Sequence, residues 1–340
     1  MSLKHVLYFI LQISRKRLKG KTMSSLELPP RSITRVSLEF FSWTVLALAG
    51  FLGNIAVIAA FVRSQFLRKF TPVYIIALAI SDILNFVTNG TFVAVTLHAG
   101  SWQFGSSGCF VGGFSTLFLM QLTTSTMSLT AINRYIRVTK PELFKKIFAP
   151  KKSIVIVVCL WFLVALTTLL PFVIGDSEFA FMASYAVCVP SFRQKVTFYV
   201  TAIHGSFGVV SLLIVAVCYI KVSRAIRQIL PRDVQNEDEN QGGETLENGD
   251  VAMRTREVKI TKMMYAIVLV FAILWIPTAV IIIVTRVTLG KIPRDVSMLV
   301  PFAYNISSLT NPVVYASMNR SFRREFKMIL LTILYYQCCR

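Results

Sequence analysis

The chain has 340 residues, of which 55% are hydrophobic, 12% aromatic and only 15% charged, and its formal net charge is +20. Soluble globular chains carry about 25% charged residues, so this composition argues against a water-soluble enzyme or binding module. The positive balance would suit a nucleic-acid partner, but the basic residues are segregated into particular segments between apolar runs, which argues against that partner too.

In chain order, residues 1–38 come first. The stretch "VLYFILQI" (6–13) is similar to a weak secretory-signal core, but the basic run "SRKRLKGK" (14–21) stands where cleavage would be expected. Met23 offers a second reading, in which residues 1–22 precede the native start. Residues 40–62, 105–132, 153–175, 196–220, 263–285 and 296–319 then contain no Asp, Glu, Lys or Arg, and 72–98 contains only Asp82. A helix needs roughly 20 apolar residues to cross a bilayer, and these runs lack the alternation of barrel strands. They predict seven helices, at 40–64, 72–98, 105–139, 152–173, 195–229, 254–286 and 296–317. Residues 230–253 hold seven acids and no aromatics and read as a disordered, solvated loop. Residues 319–334 predict an amphipathic helix on the inner membrane surface, with Arg323, Arg324 and Lys327 towards headgroups and Phe322, Phe326 and Ile329 towards lipid. Cys338 and Cys339 follow, either as palmitoylation sites or as free thiols.

Lys and Arg number 3 in 63–71, 7 in 134–152, 8 in 221–262 and 5 in 320–340, against 0 in 99–104, 2 in 174–195 and 3 in 286–295. Basic loops mark the cytoplasmic side, so the C-terminus is expected inside and the N-terminus outside, although the basic N-terminal tail departs from the rule. The expectation is an all-α membrane protein: an extracellular tail (1–38), a seven-transmembrane helix bundle (39–318) and a short cytoplasmic amphipathic eighth helix with the C-terminal tail (319–340). No internal repeat is apparent, which speaks against transporters built from paired repeats. No nucleophile–base pair, metal cluster or phosphate loop stands out, so no enzyme is expected. Asp82 is the one acid within a span, and a charge at a helix centre costs about 2.5–3.5 kcal/mol on insertion scales. With Asn54, Thr123, Ser308 and Asn311 it offers oxygen ligands suited to a sodium ion; the alternative is an acid that only holds helices together.

The motifs then fall in order. Gly53-Asn54 lies in the first span and "LAISD" in the second; "WQFG" precedes Cys109, and the third span ends "NRY". Trp161 is in the fourth, "FAILWIP" in the sixth and "NPVVY" in the seventh. Over roughly residues 38–335 the chain resembles a rhodopsin-like (class A) G-protein-coupled receptor, with weak similarity to melatonin receptors and to opsins without the retinal lysine. The resemblance implies a plasma-membrane receptor with a heterotrimeric G protein, an extracellular ligand, arrestin and membrane lipid as partners. It implies a disulfide between Cys109 and Cys188. It casts Arg134, Tyr219, Glu257, Pro277, Asn311 and Tyr315 as the activation switch, Arg134 pairing at rest with Glu257. Asn133 stands in place of the family's usual Asp, Ser211 in place of the fifth helix's proline, and Glu142 in place of an apolar side chain.

Thr116, Met120, Gln121, His204, Phe207, Trp275, Thr278 and Asn305 are the implied ligand contacts. Thr116 replaces the Asp of amine receptors and Asn305 the lysine of opsins, so neither a biogenic amine nor a Schiff-base pigment is expected. The set suits a neutral amphipathic ligand. Arg193, Lys195, Arg286, Lys291 and Arg294 outnumber Asp176, Glu178 and Asp295 at the mouth, which would steer an anionic ligand or acidic peptide, or would be solvated loop charge.

Overall fold

The computed structural model describes residues 26–64, 72–173, 177–192, 206–225, 246–288 and 292–338. The first helix, α1, runs Ile33–Arg63, and the Ser32 hydroxyl accepts from the Arg35 amide at 3.3 Å to cap it. It starts within the segment read as a tail, because its first turns are held by ion pairs rather than by lipid. The second span comprises α2 (Pro72–Asn85), a π-helical turn (Phe86–Gly90) and α3 (Thr91–Ala99). Gly100, at φ 74°, ends α3 in the left-handed conformation that glycine adopts without strain. The third span is α4 (Gly105–Thr139), followed by the short α5 (Pro141–Ile147) and then α6 (Pro150–Val173). A β-hairpin, β1 (Ser177–Met182) and β2 (Val187–Phe192), pairs antiparallel with Phe181 opposite Cys188. The later spans are α7 (Ser206–Ala225), α8 (Leu246–Val287) and α9 (Arg294–Met318), and α10 (Arg320–Cys338) closes the chain.

The expected disordered loop is corrected in part: residues 246–253 belong to α8. A helix already formed extends by adding one hydrogen bond per residue fixed, so the sixth span propagates beyond the membrane. The eighth helix forms as α10, but the placing of Phe322 is corrected. Phe322 is buried at 2% exposure, stacked on Tyr315 at 5.2 Å and edge-on to Phe61 at 5.3 Å. It pins α10 to the bundle instead of facing lipid, while Arg323, Arg324 and Lys327 are exposed.

Among the described residues, five helices are long and apolar enough to cross a membrane; α4 and α9 are not among them. Both are interior elements. α4 packs against α2, α6 and the hairpin, and α9 against α1 and α8. Their buried faces carry Gln121, Thr123, Ser128, Asn133 and Arg134, and Asn305, Ser308 and Asn311. Polar side chains that face the bundle interior are not charged the cost of lipid exposure. Close approach depends on Gly53, where a Cβ would lie 2.7 Å from the Pro312 ring.

Candidate ligand site and transmembrane switch

One end of the bundle is covered by two pieces. The hairpin is tied to α4 by the Cys109–Cys188 disulfide, with Cα atoms 5.3 Å apart, and to α8 by the Tyr185 hydroxyl donating to Thr285 Oγ1 at 2.8 Å. Its turn drives Ala186, fully buried at φ 54°, into a cluster with Leu28, Trp43, Val93, Leu97 and Met298. Phe179 lies on Gly113 so closely that a Cβ there would sit 2.1 Å from its ring. Gly113→Ala is therefore expected to lower stability by about 1–3 kcal/mol, the usual cost of overpacking. The melting temperature of the purified protein checks this, and Phe179→Ala in the same chain should recover most of the loss. The second piece is an N-terminal strap. The Leu28 amide donates to the Gly100 carbonyl at 2.8 Å and the Trp102 amide to the Leu26 carbonyl at 2.9 Å.

The strap is anchored by Glu39. Its carboxylate accepts from Arg31 Nη1 at 2.7 Å, Arg35 Nε at 3.0 Å, and both Arg294 Nη atoms at 2.6 and 2.9 Å. Arg31 also donates to the Leu97 carbonyl at 3.0 Å, and Arg35 pairs with Asp295. Two cations counted from the sequence as mouth charge and tail charge, Arg294 and Arg31, are thus committed to one acid. Arg193, Lys195 and Lys291 lie outside the described residues, as does the Arg286 side chain.

The pocket candidates divide. The Thr116 hydroxyl lies 2.7 Å from Asn89 Oδ1, Thr168 donates to Gln121 Oε1 at 3.3 Å, Thr278 donates to the Leu274 carbonyl at 2.7 Å, and Asn305 Nδ2 donates to the Trp43 carbonyl at 3.4 Å. These polar atoms are engaged by neighbouring helices or by their own. Met120 and Trp275 pack against the cluster of Leu119, Leu122, Val164 and Tyr304, and Trp275 stacks on Phe271 at 5.2 Å. Phe207 is half-buried, and His204 lies outside the described residues. Tyr304 is a residue the sequence reading passed over; its ring stands edge-on to Trp275 at 5.8 Å, and no motif marks it.

Below this level the predicted polar set converges. Ser308 donates to Asp82 Oδ1 at 2.8 Å and Asn311 Nδ2 to Oδ2 at 2.9 Å. Asn54 Nδ2 donates to the Gly50 and Ser308 carbonyls at 2.8 and 3.0 Å, and its buried Oδ1 has no hydrogen-bond partner. Thr123 and Asn311 line a cavity of about 10 Å³, room for one water. Asp82, Ser308 and Asn54 offer oxygens of the kind that a hard cation takes, while the cavity beside them is lined also by Met127, Ile267, Phe271 and Leu274.

At the end of the bundle away from the hairpin, Arg134 is 2% exposed. Tyr219 and Tyr315, both buried, lie close enough to interact with it electrostatically. Around them Val57, Ile75, Met127, Met263, Met264 and Ile267 form the largest apolar cluster given by the described residues. The neighbouring Asn133 is 1% exposed, and neither of its amide atoms has a hydrogen-bond partner. Glu257 is on α8, but its side chain lies outside the described residues, as do those of Cys338 and Cys339. Pro277 is within α8 on an exposed face. Where the fifth helix lacks a proline, α7 is continuous over Ser206–Ala225, and the Ser211 carbonyl accepts from Ser128 Oγ at 3.0 Å. Glu142 is exposed and accepts from Lys145 at 2.9 Å.

The chain is 25% identical over 307 residues to a Gq-coupled rhodopsin of Mizuhopecten yessoensis, covering 87% of this chain and 59% of that one. It is 25% identical over 335 residues to the thyrotropin-releasing hormone receptor of Ovis aries, covering 91% of this chain and 83% of that one. The fold is similar to the crystal structure of squid rhodopsin, with a TM-score of 0.76 and 22% identity over 94% of this chain and 90% of that one. Residues 53–315 match the 7 transmembrane receptor (rhodopsin family), and the chain belongs to that family.

Proposed function

We propose that the chain is a plasma-membrane receptor, N-terminus outside and C-terminus in the cytoplasm, whose ligand shifts the bundle towards a state that activates a heterotrimeric G protein. One observation carries this reading: Arg134 is only 2% exposed, near the buried Tyr219 and Tyr315 of the apolar cluster. Its release as the surrounding helices part is a two-state change that a ligand can bias by binding one state better. The ligand is a neutral or anionic amphipathic small molecule or peptide, not an amine, since Thr116 and Asn305 bring no charge to the pocket. Capture of Arg294 by Glu39 weakens the anionic case. Sodium held by Asp82, Thr123, Ser308 and Asn311 would supply the positive charge that Asp82 otherwise lacks. Arrestin and the inner leaflet are further partners, the latter through Arg323, Arg324 and Lys327.

Nucleotide exchange on a panel of G proteins, in membranes bearing this chain without ligand, tests the reading. Exchange should be raised in the native chain, lost in Arg134→Ala and higher still in Glu257→Ala. Silence in every variant, even with a broad ligand library, sinks it. A constitutive receptor is favoured as a second reading by Asn133, which cannot restrain Arg134 as an acid would. The light-sensor reading, which Asn305 disfavours, predicts an absorbance band with added retinal.

A further inference from the structure

Four hydrogen bonds run from the level of the ligand candidates down to Asp82. The Thr116 hydroxyl is 2.7 Å from Asn89 Oδ1. Asn89 Nδ2 donates to Asn85 Oδ1 at 3.0 Å, Asn85 Nδ2 to Ser308 Oγ at 3.5 Å, and Ser308 Oγ to Asp82 Oδ1 at 2.8 Å. The chain joins α4, the π-helical turn, α2 and α9. Asn85, Asn89, Ser308 and Asp82 are all buried, so no solvent competes for these bonds.

The direction of the chain follows from its last member. A carboxylate only accepts, so Ser308 must spend its single proton on Asp82 and accept from Asn85. Asn85 therefore presents its amide nitrogen to Ser308 and its oxygen to Asn89. Asn89 in turn presents its nitrogen to Asn85 and its oxygen to Thr116. Every donor points towards the charge, and bonds aligned this way polarise one another. The head of the chain is a choice point: Thr116 has one proton and two acceptors, Asn89 Oδ1 at 2.7 Å and the Gly112 carbonyl at 2.8 Å. The 3.5 Å link is the longest, and is where the chain opens most readily. Asn85 immediately precedes the π-helical turn and Asn89 lies within it, and such turns concentrate at functional positions in helices.

We propose that Asn85 and Asn89 are positioning residues that couple Thr116 to Asp82, so that whatever takes the Thr116 hydroxyl reorganises the hydrogen bonds of Asp82. This rests on the placing of Thr116 at the ligand site. It extends that reading by giving the bundle a defined path from pocket to polar core.

A double-mutant cycle on the full chain in lipid nanodiscs tests the coupling without a ligand or a G protein. Thr116→Val should lower the melting temperature in the native background and shift it by less than half as much in the Asp82→Asn background, where no acceptor-only group dictates the direction. Thr116→Ser should restore the native value. Equal shifts in the two backgrounds, the additivity of independent sites, overturn the proposal. If Thr116→Val does not accumulate, Asn85→Leu cuts the chain at its middle and is read in the same two backgrounds with the same criteria. A non-additive cycle in a chain that drives no nucleotide exchange supports the coupling while the receptor reading fails, so the two are distinguishable.

Discussion

Glu39→Gln is expected to destabilise the protein by about 1–3 kcal/mol, the cost of leaving hydrogen-bonded charged groups of a part-buried cluster unsatisfied. The carboxylate now closes four charge-assisted hydrogen bonds, two on each oxygen. A carboxamide has one oxygen and turns an N–H towards donors. The side chains of Arg31 and Arg294 are only 4% and 10% exposed, so water cannot take over. Arg35, with 43% of its side chain exposed, is the internal control. Arg35→Gln should cost no more than about 1 kcal/mol, as exposed pairs do. Thermal melting of purified receptor measures both. Equal losses in the two variants would show that the hub is an ordinary surface cluster. Because Glu39 joins the strap to α1 and α9, the larger loss should be accompanied by easier proteolysis around Leu28.

Asn133→Asp is expected to lower ligand-free nucleotide exchange by about tenfold, which corresponds to about 1.4 kcal/mol in favour of the resting state. Asn133 sits beside Arg134 in the same buried, apolar surroundings, and its own amide atoms are unpartnered. A carboxylate there attracts the guanidinium through a medium that screens poorly: about 4 kcal/mol at 4 Å for an effective dielectric of 20, before desolvation is subtracted. The attraction acts only while Arg134 stays in the bundle, so it opposes activation. Asn133→Leu separates charge from burial. It removes an unsatisfied amide, which is neutral or stabilising, and should raise the melting temperature while leaving exchange near the native level. Exchange that is unchanged or higher in Asn133→Asp would remove Asn133 from the account of Arg134.

Some of this was legible before any coordinates. The π-helical turn, the hairpin and the strap were not, although Phe179 and Phe181 alternate as strand residues on one face do. That signal is two residues long and was lost in a loop. The hydropathy reading also placed Phe322 towards lipid, because periodicity says which residues share a face and not what covers that face.

The sequence by itself determined the class, the seven runs, the loop charge bias and the ordered motifs that identify the family. Each of these is a property of composition or of neighbours a few residues apart. Tertiary structure decided which polar groups meet. Glu39 and Arg294 are 255 residues apart in the chain, and Asp82 and Asn311 are 229 apart. Such pairs exist because helices pack side by side and buried donors must find acceptors on their neighbours. For the same reason Thr116, chosen from the sequence as a ligand contact, is found bonded within the bundle, its proton shared between Asn89 and its own helix.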